Sequence, residues 1–226
     1  MTAQPGSMAQ TPSGLCAIAG ALRDHPLASA LANEVMRVHH RYAVEVVGAH
    51  RLCPFMNDPA TAFGRFCVML DRAMDVEAAL SEVAAAGTSV VHLVYPLIDV
   101  DVTTFERFGN RLHMEVAKTL MRAPVHATFH PLMEGDATSA TRLVGMLRRA
   151  PDPFVQFVPE GLHEGGTTYL DPQSFDPATY AQPRPTPSQH NHERLSLADV
   201  AAILECQEDI RDDRDRSYAR FLDAMR

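Results

Sequence analysis

Apolar positions along the chain recur with two alternating periods. From about Leu27 to Leu52 they fall at steps of three and four, at Val35, Val38, Tyr42, Val46 and Ala49, which is the stripe of a helix. His39, His50 and Cys53 lie on or beside that stripe. The pattern then switches. "GRFCVML" (64–70) is expected as a buried strand, and "VEAALSEVAAAG" follows as a helix closed by Gly87. "SVVHLVYP" (89–96) is rich in β-branched residues and ends on proline, a second strand. Residues 101–120 carry a helical stripe of Phe105, Phe108, Leu112, Val116 and Leu120. "PVHATFHP" (124–131) is a third strand, and 138–149 is a helix whose last turn is basic, as the helix dipole favours. The alternation predicts an α/β fold: a small parallel βαβαβ sheet with right-handed crossovers, flanked by helices, with an N-terminal helix and a long C-terminal helix.

The flanks are less regular. "PFVQFVP" (153–159) fits either a strand or a short helix, and "TTYLD" (167–171) fits an edge strand. The expected layout is a disordered leader over 1–13, an α/β domain over 14–171, a proline-rich linker over 172–193 and a C-terminal helix over 194–226. That helix starts near Leu197 under a Ser196-x-x-Asp199 cap. Ile203, Ile210, Tyr218 and Phe221 are its inward stripe. Its charged run, "EDIRDDRDR" (208–216), is either a solvated face or a partner-binding arm.

Composition narrows the classes. The 226 residues are 46% hydrophobic and 21% charged, ordinary for a globular chain with a sizeable core. A net charge of −8 argues against nucleic acid or an anionic membrane as partner, while leaving room for a local basic site for a small anion. The apolar run "LCAIAGAL" (15–22) is too short to span a bilayer. A small molecule is the expected partner; the oligomeric state stays open. Cys16, Cys53, Cys67 and Cys206 are scattered with no CxxC, which points away from a zinc ribbon or a disulfide framework and toward a reducing cytoplasm. The common phosphate-loop, dinucleotide, zincin and nucleophile-elbow motifs are absent, and the cofactor is left unknown.

Ligands gather at the carboxyl ends of strands in such sheets. Those ends carry Asp71 with Arg72, Tyr95 with Pro96, and His130 with Pro131. His130 reads as a base, an acid or a metal ligand, or as a histidine that bonds a backbone carbonyl and orders the loop from Pro131. Cys53, before Pro54, reads as a nucleophile, a ligand or a small buried side chain; its place at a helix end or an N-cap decides whether a thiolate is favoured. His39 and His40 diverge on their helix and cannot easily share a metal. His190 and His192 have the spacing of a ligand pair, but they sit in a polar stretch with no acidic or cysteine partner.

Four short segments in order resemble a bacterial family known as domain of unknown function 1415: "VVGAHRLCPF" (46–55), "FGNRLH" (108–113), "FHP" (129–131) and "RAPDP" (149–153). The likeness covers about residues 38–165. It implies that Cys53, Asn110, His130 and Arg149 are the positions to watch, and it implies no reaction. Gln156 stands where many members have a histidine. Three functions follow as expectations. The first is an enzyme on a small anionic substrate, with Cys53 as nucleophile or redox thiol, His130 as base, Asn110 as oxyanion donor and Arg149 as the substrate's charge partner. The second is a metal or haem binder, and the third a noncatalytic interaction module.

Overall fold

The computed structural model describes residues 16–53, 65–86, 90–119, 124–158 and 187–225. Five strands form one sheet: β1 (Cys16–Ala19), β2 (Arg65–Met69), β3 (Val91–Val94), β4 (Val125–Phe129) and β5 (Phe154–Val158). The helices are α1 (Ala28–Arg41), which runs into a π-helical segment (Tyr42–Gly48), α2 (Val76–Ala85), α3 (Val102–Thr119), α4 (Ala140–Leu147), α5 (Pro187–Arg194) and α6 (Leu197–Ala224). The protein is therefore mixed α/β, as the two alternating periods imply.

The sheet order is β1–β2–β3–β5–β4. β1, β2 and β3 pair in parallel, and β5 is antiparallel to both β3 and β4. Hence β2, β3 and β4 all point the same way, as expected, but β4 does not touch β3. The ambiguous "PFVQFVP" supplies the strand between them. Because β5 enters from the opposite direction, the residues just before it, Asp152 and Pro153, join the carboxyl edge of the other strands; the Pro153 carbonyl accepts a bond from Tyr95 N at 2.9 Å. β1 was not expected as a strand at all: its four residues are too few for a period to show.

Each face of the sheet builds its own core. Phe66, Val68, Leu70 and Val94 pack with α1, α4 and α6. Cys67, Met69, Leu93 and Tyr95 pack with α2 and α3. This is strand alternation, successive side chains going to opposite faces. The three crossovers all step the same way along the sheet, with α2 and α3 on one face and α1 on the other. The β1–α1–β2 crossover thus has the opposite hand to the next two, which are the crossovers of the expected βαβαβ unit.

Two glycines permit close layers. A Cβ on Gly109 would overlap the Thr128 methyl, so α3 lies tight on β4; one on Gly145 would overlap the Glu134 carbonyl, so the loop after β4 lies tight on α4. The end of the first helix is closed differently. Ala49 N and Leu52 N bond five residues back, each at 2.9 Å, and Arg51 turns to a positive φ of 48°. α5 then covers the exposed carbonyls: Asn191 Nδ2 donates to Leu52 O at 3.0 Å, and Arg194 donates to His50 O. Residues 187–193, expected as the end of a linker, are this helix instead; buried Asn191 gives it a reason to order. Residues 1–13, 167–171 and 172–186 lie outside the described residues.

α6 starts where the cap predicts, with a reciprocal box between Ser196 and Asp199. Ile203, Ile210, Tyr218 and Phe221 are buried against the sheet layer. Most of the charged run faces solvent, as the solvated-face reading expects, and two of its carboxylates also tie it to α1. Asp213 takes a two-point bond from Arg37, at 2.7 and 2.9 Å, and a further one from Arg41 at 2.8 Å; Arg41 also reaches Asp209 at 2.7 Å. Among the described residues no helix is long and apolar enough to cross a membrane.

If α6 is part of the fold, truncating its buried face must destabilise the whole protein. Ile210→Ala is expected to cost about 2–5 kcal/mol in urea unfolding, whereas Leu197→Ala, at a side 84% exposed, is expected to stay within about 0.5 kcal/mol. Equal small effects for the two variants would mean that α6 is an undocked arm.

Candidate functional site

A cavity of about 360 Å³ opens on the α1 face of the sheet, between the π-helical segment, α4 and α5. Its floor is strand side chains. His92 on β3 sits in register with Gln156 on β5, and Gln156 Nε2 donates to His92 Nε2 at 2.9 Å. Ala127 on β4 is in register with Gln156 on its other side. An alanine there leaves open the volume that a larger residue would fill. Phe129 and Phe154 stack at 4.1 Å between ring centres and form an aromatic wall. Val47, Val144 and Leu147 supply aliphatic wall from the helices, Leu52 adds to it from beyond the turn after the π-helical segment, and Cys53 closes one side.

His39 also lines this cavity. It falls on the buried stripe of α1, between Val38 and Tyr42, and meets Phe66 and Phe154 edge-on at 5.4 and 5.6 Å. Its Nε2 lies 3.1 Å from Asp152 Oδ2. The carboxylate is acceptor only, so Nε2 carries a proton, and in the neutral ring Nδ1 then holds the lone pair. Among the described residues nothing bonds Nδ1. Asp152 is fully buried and accepts two further bonds from α6: Arg214 Nε at 2.9 Å and Tyr218 Oη at 3.0 Å. Burial alone pushes its carboxyl up, but the bond from His39 and the charge of Arg214 outweigh that and hold it below the usual carboxylate range.

Arg148, at the end of α4, is the cavity's cation. Its guanidinium lies 5.9 Å from the Phe129 ring centre. Burial pushes its pKa down, with only partial relief from Glu106 and Tyr42. Among the described residues no carboxylate comes within ion-pair distance of it and no hydrogen bond reaches its side chain.

The four residues marked by the sequence do not meet in this cavity. Only Cys53 lines it. His130, at the edge beyond β4, falls on the α3 face, since 126, 128 and 130 point one way and 125, 127 and 129 the other. The sheet stands between His130 and Cys53. His130 packs near Phe105, at 5.9 Å between ring centres. Its Nε2 donates to Val100 O at 3.0 Å, and its Nδ1 accepts from Leu132 N at 3.1 Å. Both nitrogens are spent on backbone, which is the loop-ordering alternative stated for it above. Burial lowers its pKa, offset in part by the Val100 bond. Asn110 is exposed on α3, its Oδ1 3.2 Å from His126 Nε2. Arg149 donates to the Met133 and Gly135 carbonyls at 2.8 and 2.9 Å and holds the loop after β4. Asp71 and Tyr95 do share the carboxyl edge, but Tyr95 is sealed in the α3-side core beside Phe105 and Phe108.

Sequence reasoning missed His39, Asp152 and Arg148. His39 had a signal, its place on the apolar stripe of α1. Arg148 had a weaker one: it and Arg149 are adjacent basic residues where α4 ends, and only the helix phase decides which faces the cavity. Asp152, between two prolines, gives no sign of burial. His190 and His192 sit two apart on a helix and so do not face one site. Among the described residues no group of three or more His, Cys, Asp or Glu is placed to hold a metal ion. No protein-family model, curated protein or solved structure matches the chain.

His126 gives the site region a pH signature. It stacks on His113 at 4.3 Å, and its pKa is pushed down to about 4, first by burial and then by the neighbouring His113 and Arg148. An unfolded histidine titrates near ~6.5. Between that value and 4 the unfolded chain binds the proton that folded His126 refuses, so stability falls as pH drops through that window and is flat with respect to this group above it. Histidine NMR titration is expected to find His126 still neutral at pH 5.5; a midpoint at or above 6.5 contradicts the packing described.

Proposed function

We propose that the cavity receives a small molecule and that Cys53 and His39 are its reactive pair. The thiol proton passes to His39 Nδ1, and the thiolate adds to a carbonyl carbon of the bound molecule; the C=O π pair moves to oxygen, which then takes the proton back from the imidazolium. Asp152 holds the imidazole in the required tautomer and steadies the imidazolium that forms. The observation that carries this reading is the His39–Asp152 bond inside a wall that Cys53 also lines. Cys53 lies just past the carboxyl end of its helix, where the dipole works against a thiolate. A base beside the cavity is therefore what such chemistry needs. The resemblance to domain of unknown function 1415, itself part of this proposal, adds weight to Cys53.

The reading keeps the thiol and imidazole expected from the sequence and moves the base from His130 to His39. The thiols of Cys53, Cys67 and Cys206 fit a reducing compartment, and we place the protein in a cytoplasm. A noncatalytic binder is the second reading, favoured by one observation: Asp152 also secures Arg214 and Tyr218, so the His39 bond has a structural use as well.

Alkylation separates the two. In the intact protein, iodoacetamide is expected to modify Cys53 much faster than the fully buried Cys67, and His39→Gln is expected to slow it about a hundredfold at pH 7 with the circular dichroism spectrum retained. Glutamine can keep a bond to Asp152 while removing the base. A rate unchanged by His39→Gln leaves only the noncatalytic binder; a Cys53 that reacts only on unfolding rules out thiol chemistry at this site.

A further inference from the structure

We infer that the ligand of this cavity is an amphipathic monocarboxylate of about a dozen non-hydrogen atoms, anchored by Arg148. The inference rests on the cavity being a ligand site, and it adds the ligand's chemical class. Among the described residues that line the cavity, Arg148 is the one lysine or arginine, and there is no aspartate or glutamate. The rest of the wall is largely aromatic and aliphatic. Among these described residues the permanent charge is thus a single cation without an anion beside it.

A half-buried guanidinium with no bonded partner is costly to keep, since it gives up water and receives nothing in return. Elsewhere in this protein arginines in that position are paired: Arg37 and Arg41 to Asp213, Arg214 to Asp152. Arg148 is held instead against the Phe129 ring, beyond ion-pair reach of Glu106. Its fork is planar and donates two parallel bonds, which matches the two oxygens of a carboxylate. A dianionic phosphate ester would bring a second charge for which the described wall has no cation. Size follows from volume. At about 30 Å³ per water-sized unit, 360 Å³ holds roughly a dozen such units. The Phe129–Phe154 stack suits a flat or chain-like apolar body. His92 and Gln156 on the floor are bonded to each other.

Titration calorimetry on the full-length protein tests this with four probes of similar size: 4-phenylbutanoate, its neutral amide, 4-phenylbutylamine and phenyl phosphate. The carboxylate is expected to bind about tenfold or more tighter than the amide. In Arg148→Met that preference should vanish while amide binding stays within about threefold, and Arg148→Lys should restore part of it. Equal binding of carboxylate and amide to the unaltered protein overturns the anion anchor and leaves the cavity reading standing. Preference for the amine or for phenyl phosphate overturns the monocarboxylate assignment. Failure of all four to bind overturns both the anchor and the cavity reading. The comparison of probes on the unaltered protein needs no variant, so a folding defect in Arg148→Met cannot obscure it.

Discussion

The buried carboxylate of Asp152 is the point on which three layers of this protein depend. It sits at the start of β5, takes a bond from His39 on α1, and takes two from Arg214 and Tyr218 on α6. A fully buried charge of this kind is tolerable only when it is completely bonded, and losing one partner of such a set typically costs ~3–5 kcal/mol. Sheet, first helix and last helix are therefore fixed relative to one another by one side chain. Arg214 extends the tie to the Pro96 carbonyl at the end of β3, at 3.2 Å.

The other charges between α1 and α6 act on a smaller scale. The bonds from Arg37 and Arg41 to Asp209 and Asp213 lie in partly exposed positions, where each contributes ~1 kcal/mol or less and is weakened by salt. They set the register of two helices that Ile203, Ile210, Tyr218 and Phe221 already hold by burial. The hydrophobic stripe supplies the attraction, the surface pairs choose the alignment, and Asp152 links that alignment to the cavity wall. An acidic run on a long helix is thus accounted for by basic residues of the same chain.

Most elements were legible because their signals are local. The stripe of α3, the β-branched run of β3 and the Ser196–Asp199 box need only neighbouring residues to be recognised. What lay beyond the sequence was relational. The direction of β5 depends on which strands it joins, and that direction carries Asp152 to the carboxyl edge. The face on which His130 falls depends on counting from a strand whose start is uncertain by a residue, and one residue moves a side chain to the other face. The same one-residue uncertainty separates Arg149, which braces a loop, from Arg148, which lines the cavity. Cys53 was legible as a position to watch, while its base was sought at a strand end rather than on the helix beside it.

The central claim is that Asp152 fixes His39, a residue of the cavity wall, as the tautomer protonated on Nε2. Nitrogen-15 NMR of the histidine side chains at pH 8 measures this directly, because protonated and lone-pair nitrogens resonate far apart. The account predicts that His39 carries its proton on Nε2, with Nδ1 in the lone-pair form. A proton on Nδ1, alone or together with Nε2, would contradict it and leave the His39–Asp152 bond as a structural tie with no base to offer.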